Sequence, residues 1–216
     1  MGWLNCDPVL SDVTTTFPGI YPLYVSVTGI AELHKGYRVE VIYGDPFDQV
    51  PDAWRFDEAG CYTPAFLSIK PAPPPELAGS CPPFSQGALG LDTEDVNFVP
   101  PGGPWSQSLM RLVLARSYPA GVPSVNPATR YHLVGFHFDH SFSVVGPSVQ
   151  GLSCGNFERP MCFRLVRSAY VTMEGLEVPF ANSNVVHVVT FNGVGACPAT
   201  IALPKTWGSI RAQYRN

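Results

Sequence analysis

The densest run of potentially reactive side chains is Tyr131-His132-Leu133-Val134-Gly135-Phe136-His137-Phe138-Asp139-His140. In an extended strand successive side chains alternate between faces. That alternation predicts His132 with His140 on one face and His137 with Asp139 on the other. An imidazole and a carboxylate two residues apart suit a divalent transition metal. His187, in Val186-His187-Val188, is the candidate third ligand from another strand. A metal-dependent enzyme at His137, Asp139 and His187 is therefore one expectation. Its rival is that these histidines cover aromatic neighbours or bond to backbone groups, since no HExxH-type spacing accompanies them.

A second run, Asp92-Thr93-Glu94-Asp95-Val96-Asn97, concentrates hard oxygen donors. Asp92, Glu94 and Asp95 in a loop would suit calcium, although the glycine and closing Glu of an EF-hand loop are missing. A solvated acidic turn explains the same residues. Asp45, Asp48, Asp52, Asp57 and Glu58 form a more dispersed acidic group. No strand-to-helix nucleophile elbow is expected, since no helical period follows Gly151-Leu152-Ser153-Cys154-Gly155, and no Ser-Xaa-Xaa-Lys occurs. Carboxylate pairs for glycoside hydrolysis assemble in space, and no local run nominates one. Trp54, Trp105, Trp207 and Tyr214 are candidates for a ligand or protein interface, with Trp3, Tyr62 and Tyr118 beside them. Exposed rings could stack on sugars or anchor a partner; buried ones would form local cores.

These side chains have to be positioned by a turn-rich framework. The 216 residues include 23 Pro and 20 Gly, and only 14% are charged. Long surface helices need charged faces and few prolines, so a helical bundle is excluded. A 45% hydrophobic content with a net charge of −4 excludes disorder. Three of the 13 cations are Lys, and no basic stripe exists, which argues against nucleic acid. No apolar run reaches membrane-spanning length.

The expected fold is all-β: one antiparallel β-sandwich over 1–216, immunoglobulin-like, cohesin-like or a jelly roll. Strands are predicted at 20–29, 37–43, 108–116, 130–140, 142–145, 162–173 and 185–191, with weaker ones at 53–56 and 62–69. Residues 37–43 show the pattern best, with Tyr37, Val39, Val41 and Tyr43 alternating against Arg38, Glu40 and Ile42. The proline-rich stretch 71–105 is expected to be a packed insertion pinned by Cys81, Phe84 and other apolar residues. A short helix is expected at 206–214, opened by Thr206.

Six cysteines, Cys6, Cys61, Cys81, Cys154, Cys162 and Cys197, lack any close-paired zinc spacing. Disulfides are expected, and with them an oxidising compartment. Short loops favour Cys61–Cys81 and Cys154–Cys162, which leaves Cys6–Cys197. The residues Met1 to Cys6 do not read as a signal peptide or as a myristoylation site.

The final residues, Thr206-Trp207-Gly208-Ser209-Ile210-Arg211-Ala212-Gln213-Tyr214-Arg215, carry cations beside aromatic residues. This ending resembles a tail that closes many secreted bacterial proteins, usually after an immunoglobulin- or cohesin-like sandwich. The resemblance covers about ten residues, implies export and a sandwich fold, and brings no catalytic residue.

Taken together, these features lead us to expect an extracellular or cell-surface β-sandwich with a structural or adhesive role, self-assembling as a surface, filament or coat subunit. Partners would be further copies or other surface proteins. No cofactor is required, with calcium possible. Residues 9–17 could add as a strand to a neighbour's open sheet edge. The alternatives are a carbohydrate-binding module using Trp54, Trp105 or Tyr62, the metal-dependent enzyme above, and a jelly-roll capsid protein, which would lack the usual basic arm.

Overall fold

The computed structural model describes residues 2–3, 12–62, 64–101, 108–150, 152–180, 188–193 and 197. Its strands are β1 (Gly2–Trp3), β2 (Asp12–Val13), β3 (Ile20–Thr28), β4 (His34–Gly44), β5 (Leu67–Lys70), β6 (Leu91–Val99), β7 (Leu109–Val122), β8 (Arg130–Asp139), β9 (Met161–Thr172), β10 (Glu177–Pro179) and β11 (Val188–Phe191). They form a four-stranded sheet, β1-β3-β8-β5, and a seven-stranded sheet, β2-β11-β9-β4-β7-β6, with β10 also paired to β9. All pairings are antiparallel except β2 with β11. The protein is an antiparallel β-sandwich. No helix among the described residues is long and apolar enough to cross a membrane.

The alternation of β4 sets the core. Tyr37, Val39, Val41 and Tyr43 are buried against the smaller sheet, while Arg38 and Glu40 face outward. Each such burial stabilises by about 2 kcal/mol. The two tyrosine hydroxyls do not stay unpaired: Tyr37 donates to the Leu133 carbonyl at 2.7 Å and Tyr43 to the Trp54 carbonyl at 2.9 Å. On the outer face, Arg111 bridges Glu40 at 2.8 Å and Asp95 at 3.9 Å, so charges meet across neighbouring strands.

Several local expectations are revised. Residues 53–56 are no strand: Asp52–Trp54 is a 3-10 turn following Pro51, and it drives Trp54 into the core. Residues 62–69 hold a second 3-10 turn, Pro64–Phe66, before β5. Residues 142–145 are turns, not a strand. The described part of the 71–105 stretch packs at Cys81 and Phe84. Phe84 is buried, and Pro82 and Phe84 exchange backbone hydrogen bonds with His132. Yet it also contains β6, a nine-residue strand on the edge of the larger sheet. The 206–214 helix lies outside the described residues.

The cysteine pairing also differs from the short-loop expectation. Cys61 bonds Cys154, and Cys162 bonds Cys197. Both bridges link distant segments, because the sandwich brings the 61 loop against the 154 loop and β9 against the chain after β11. These bonds overturn Cys61–Cys81, Cys154–Cys162 and Cys6–Cys197. Cys81 is disulfide-bonded as well; Cys6 lies outside the described residues. Of the expected donor segment 9–17, Asp12 and Val13 pair with Thr190 and Phe191 of the same chain, and residues 9–11 lie outside the described residues.

Candidate functional site

Among the described residues the histidine strand does not assemble a metal centre. The register of β3 against β8 steps from Val25↔Val134 to Ser26↔His132, so β8 carries an extra residue there. That bulge inverts the alternation. His132 consequently joins His137 on the outer face, where both rings meet the Tyr24 ring edge-on at 5.6 and 5.7 Å. Burial pushes His132 down to about 4, assisted by His137 and opposed by its contact with the Lys70 carbonyl. Burial and Lys70 also lower His137. Asp139 is engaged in the turn after β8, accepting from the Ser141 backbone N–H at 2.9 Å and from the Ser141 hydroxyl. His187 lies outside the described residues. Among the described residues no three His, Cys, Asp or Glu side chains converge to hold a metal ion.

His140 goes inward instead of joining His132. It is fully buried, with Trp54 at 4.2 Å and Phe157 at 4.9 Å between ring centroids. Its Nδ1 lies 3.2 Å from Ser143 Oγ, which shares a 2.9 Å hydrogen bond with the Tyr62 hydroxyl. Burial pushes His140 down to about 3, so the imidazole is neutral at physiological pH. Serine and histidine in contact have the residue types of a nucleophile and its base. Ser143 is only 4% exposed, however, and Tyr62 covers it. A carbonyl cannot reach its Oγ, and the trio is a buried hydrogen-bonded group of the core. Trp54 and Tyr62 are buried in this region, so neither forms a sugar-stacking platform. Trp105, Trp207 and Tyr214 lie outside the described residues.

Asp92, Glu94 and Asp95 lie on β6, not in a loop. Strand alternation sends Asp95 to the outer face, toward Arg111, and leaves Asp92 and Glu94 on the other. Asp92 is held by Arg116 through two hydrogen bonds of 3.0 and 2.9 Å. Two of the three proposed calcium ligands are thus paired with arginines, and the three do not share a face. That geometry removes the loop cage the calcium expectation required.

What the structure builds from these acids is a groove. Glu94, Val96 and Phe98 oppose Leu114, Leu112 and Met110 of β7, which are core residues. Glu94 therefore stands on the core-facing side of the sheet, at its edge. Burial and the nearby Asp92 raise its carboxyl above the ordinary range, while Lys70 opposes them. Along this edge lies a groove of about 650 Å³, lined by residues 94–98 of β6, by Leu67 and Ile69 of β5, and by residues 57–59. Five consecutive residues of β6 line it, so it runs along the strand's edge. Among the described residues β6 pairs only with β7, and that edge has no strand partner. Leu67, Ile69, Val96 and Phe98 line the groove together with Asp57, Glu58, Glu94 and Asp95. Arg55 holds Asp57 at 2.6 Å and lies 4.2 Å above the Phe98 ring, which fixes one wall.

The sequence flagged both acidic groups but not their meeting. Reading 91–99 as a strand would have placed Glu94 on one face with Val96 and Phe98, which was the available signal. Compared with protein-family models, with curated proteins and with solved structures, the chain matches none of them.

A second exposed feature is apolar. Phe66, Phe142 and Leu152 surround the Cys61–Cys154 bridge in a cleft of about 350 Å³, and Phe142 and Leu152 are 56% and 76% exposed.

Proposed function

We propose that this chain is an exported structural or adhesive β-sandwich that associates with further copies of itself through its open sheet edge. The observation that carries the reading is the groove along β6, where a strand edge with no partner among the described residues meets Leu67, Ile69 and Phe98 beside four carboxylates. Unpaired edges are templates for strand addition, and natural sandwiches cover or shorten them. Here a nine-residue edge has no strand partner among the described residues. The disulfides support an oxidising compartment. The exposed apolar cleft around Phe142 and Leu152 supports association, because buried apolar area drives it.

Sedimentation velocity over a wide concentration range tests the reading. Species larger than the monomer, growing with concentration and dispersed by salt, are expected. A single monomeric boundary at every concentration and salt level would contradict it.

A further inference from the structure

The groove poses a specific question of occupancy. It is lined by four carboxylates, Asp57, Glu58, Glu94 and Asp95. Asp57 and Asp95 face arginines, whereas Glu58 and Glu94 form no ion pair with a described residue. A strand that fills this groove should therefore carry cations on the side turned toward the core. It should also offer one large apolar side chain to Leu67, Ile69 and Phe98.

Residues 204–216, Pro-Lys-Thr-Trp-Gly-Ser-Ile-Arg-Ala-Gln-Tyr-Arg-Asn, match that description. The segment contains three cations and no acid. In an extended chain Lys205, Trp207, Arg211 and Arg215 all fall on one face, because all four positions are odd. At about 3.3 Å per residue, a β6-length strand spans about 30 Å, and the segment is long enough to cover it.

The direction of approach also matters. Cys197, the last described residue, is bonded to Cys162 on β9, whereas β6 closes the far edge of the same sheet. Residue 197 is thus anchored three strand positions from β6. A contact of one segment with a different surface of a second copy is head-to-tail, and repeating it gives an open-ended chain of subunits.

We propose that the groove along β6 receives the 204–216 segment of a second copy of this chain as an added strand, with Lys205, Arg211 and Arg215 facing Glu58 and Glu94. The proposal rests on the self-association reading and names its surface and its occupant. The acidic lining would make the edge selective. Neutral or acidic strands leave its carboxylates unpaired in a partly dry groove, and a cationic strand satisfies them.

Charge reversal in the full chain tests it. One variant carries Glu58→Lys and Glu94→Lys; another carries Lys205→Glu, Arg211→Glu and Arg215→Glu. Glu58 and Glu94 are exposed, and unchanged melting temperatures verify that both variants fold. Neither variant alone is expected to associate, and an equimolar mixture is expected to recover association, because each junction is again complementary. A fluorescein-labelled peptide of sequence 204–216 should bind the tail-reversed chain. It should lose about tenfold or more in affinity when that chain also carries Glu58→Lys and Glu94→Lys.

Association of the groove variant at the wild-type level would overturn the proposal while leaving self-association intact. Peptide binding to the tail-reversed chain, with a wild-type chain that stays monomeric, would mean that the segment closes its own groove, and would overturn docking between copies. A monomeric wild-type chain with no peptide binding would overturn both readings.

Discussion

Two regions of this sandwich treat polar groups in opposite ways. Around Trp54 and His140, rings from both sheets and the intervening loops seal the interior. Several polar atoms there are matched to one another: Tyr62 with Ser143, Ser143 with His140, Tyr43 with the Trp54 carbonyl. Along β6, the sheet edge has no strand partner among the described residues, and Glu94 stands on its core-facing side without an ion partner among them. The difference teaches where function is to be sought. A polar trio with a serine and a histidine attracts attention as chemistry, yet its burial makes it structure. Glu94 is exposed on the core-facing side of the β6 edge, and its charge is accessible to a partner.

The comparison can be broken most severely at the aromatic end. Trp54→Ala removes a fully buried ring, and the expected loss is about 4 kcal/mol of stability, read from chemical denaturation. A loss below about 1 kcal/mol would show that the region is loosely packed. Acid probes the same place. His140 is pushed down to about 3 and His132 to about 4, both by burial. Their unfolded forms take up protons near the ordinary imidazole value, while the folded forms do not. Stability from these groups is thus complete above about pH 6.5 and is lost progressively as pH falls toward 3, on the order of 4 kcal/mol for His140 alone. His140→Phe should flatten the acid limb of a melting-temperature curve; an unchanged limb would move the effect to other groups.

Opening the Cys61–Cys154 bridge should cost about 3 kcal/mol, since it closes a long loop. Cys61→Ala with Cys154→Ala, compared by thermal melting under oxidising conditions, measures it. The smallest stability effect belongs to the groove. Glu94→Gln removes a partly desolvated charge, and a gain of about 0.5 kcal/mol or less is expected, together with weaker association. A clear loss of stability would place Glu94 among the groups that hold the fold.

Much of the framework was legible in the sequence. Period-two alternation in 37–43 located β4 and its buried face, and the proline and glycine content pointed to a sandwich. The histidine faces were not legible, because one extra residue between His132 and Val134 inverts a parity that sequence alone carries straight through. The 3-10 turn at Asp52–Trp54 was hidden for a related reason: a short apolar run fits a strand or a turn, and packing decides. Short-loop pairing of cysteines failed because tertiary contact, not sequence proximity, places sulfur against sulfur. The acidic residues were all noted, but Asp57 and Glu58 are far in sequence from Glu94, and only the meeting of β5, β6 and the 57–59 loop unites them.

The central claim is that the β6 edge is open in the single chain and covered in the associated one. Amide hydrogen exchange over residues 91–99 tests it most directly, comparing the full chain in its associated state with the Glu58→Lys, Glu94→Lys variant. The account predicts that alternate β6 amides exchange rapidly in the variant and become protected on association, while β3 and β4 amides do not change. Equal exchange of the β6 amides in both samples, with association present, would contradict it.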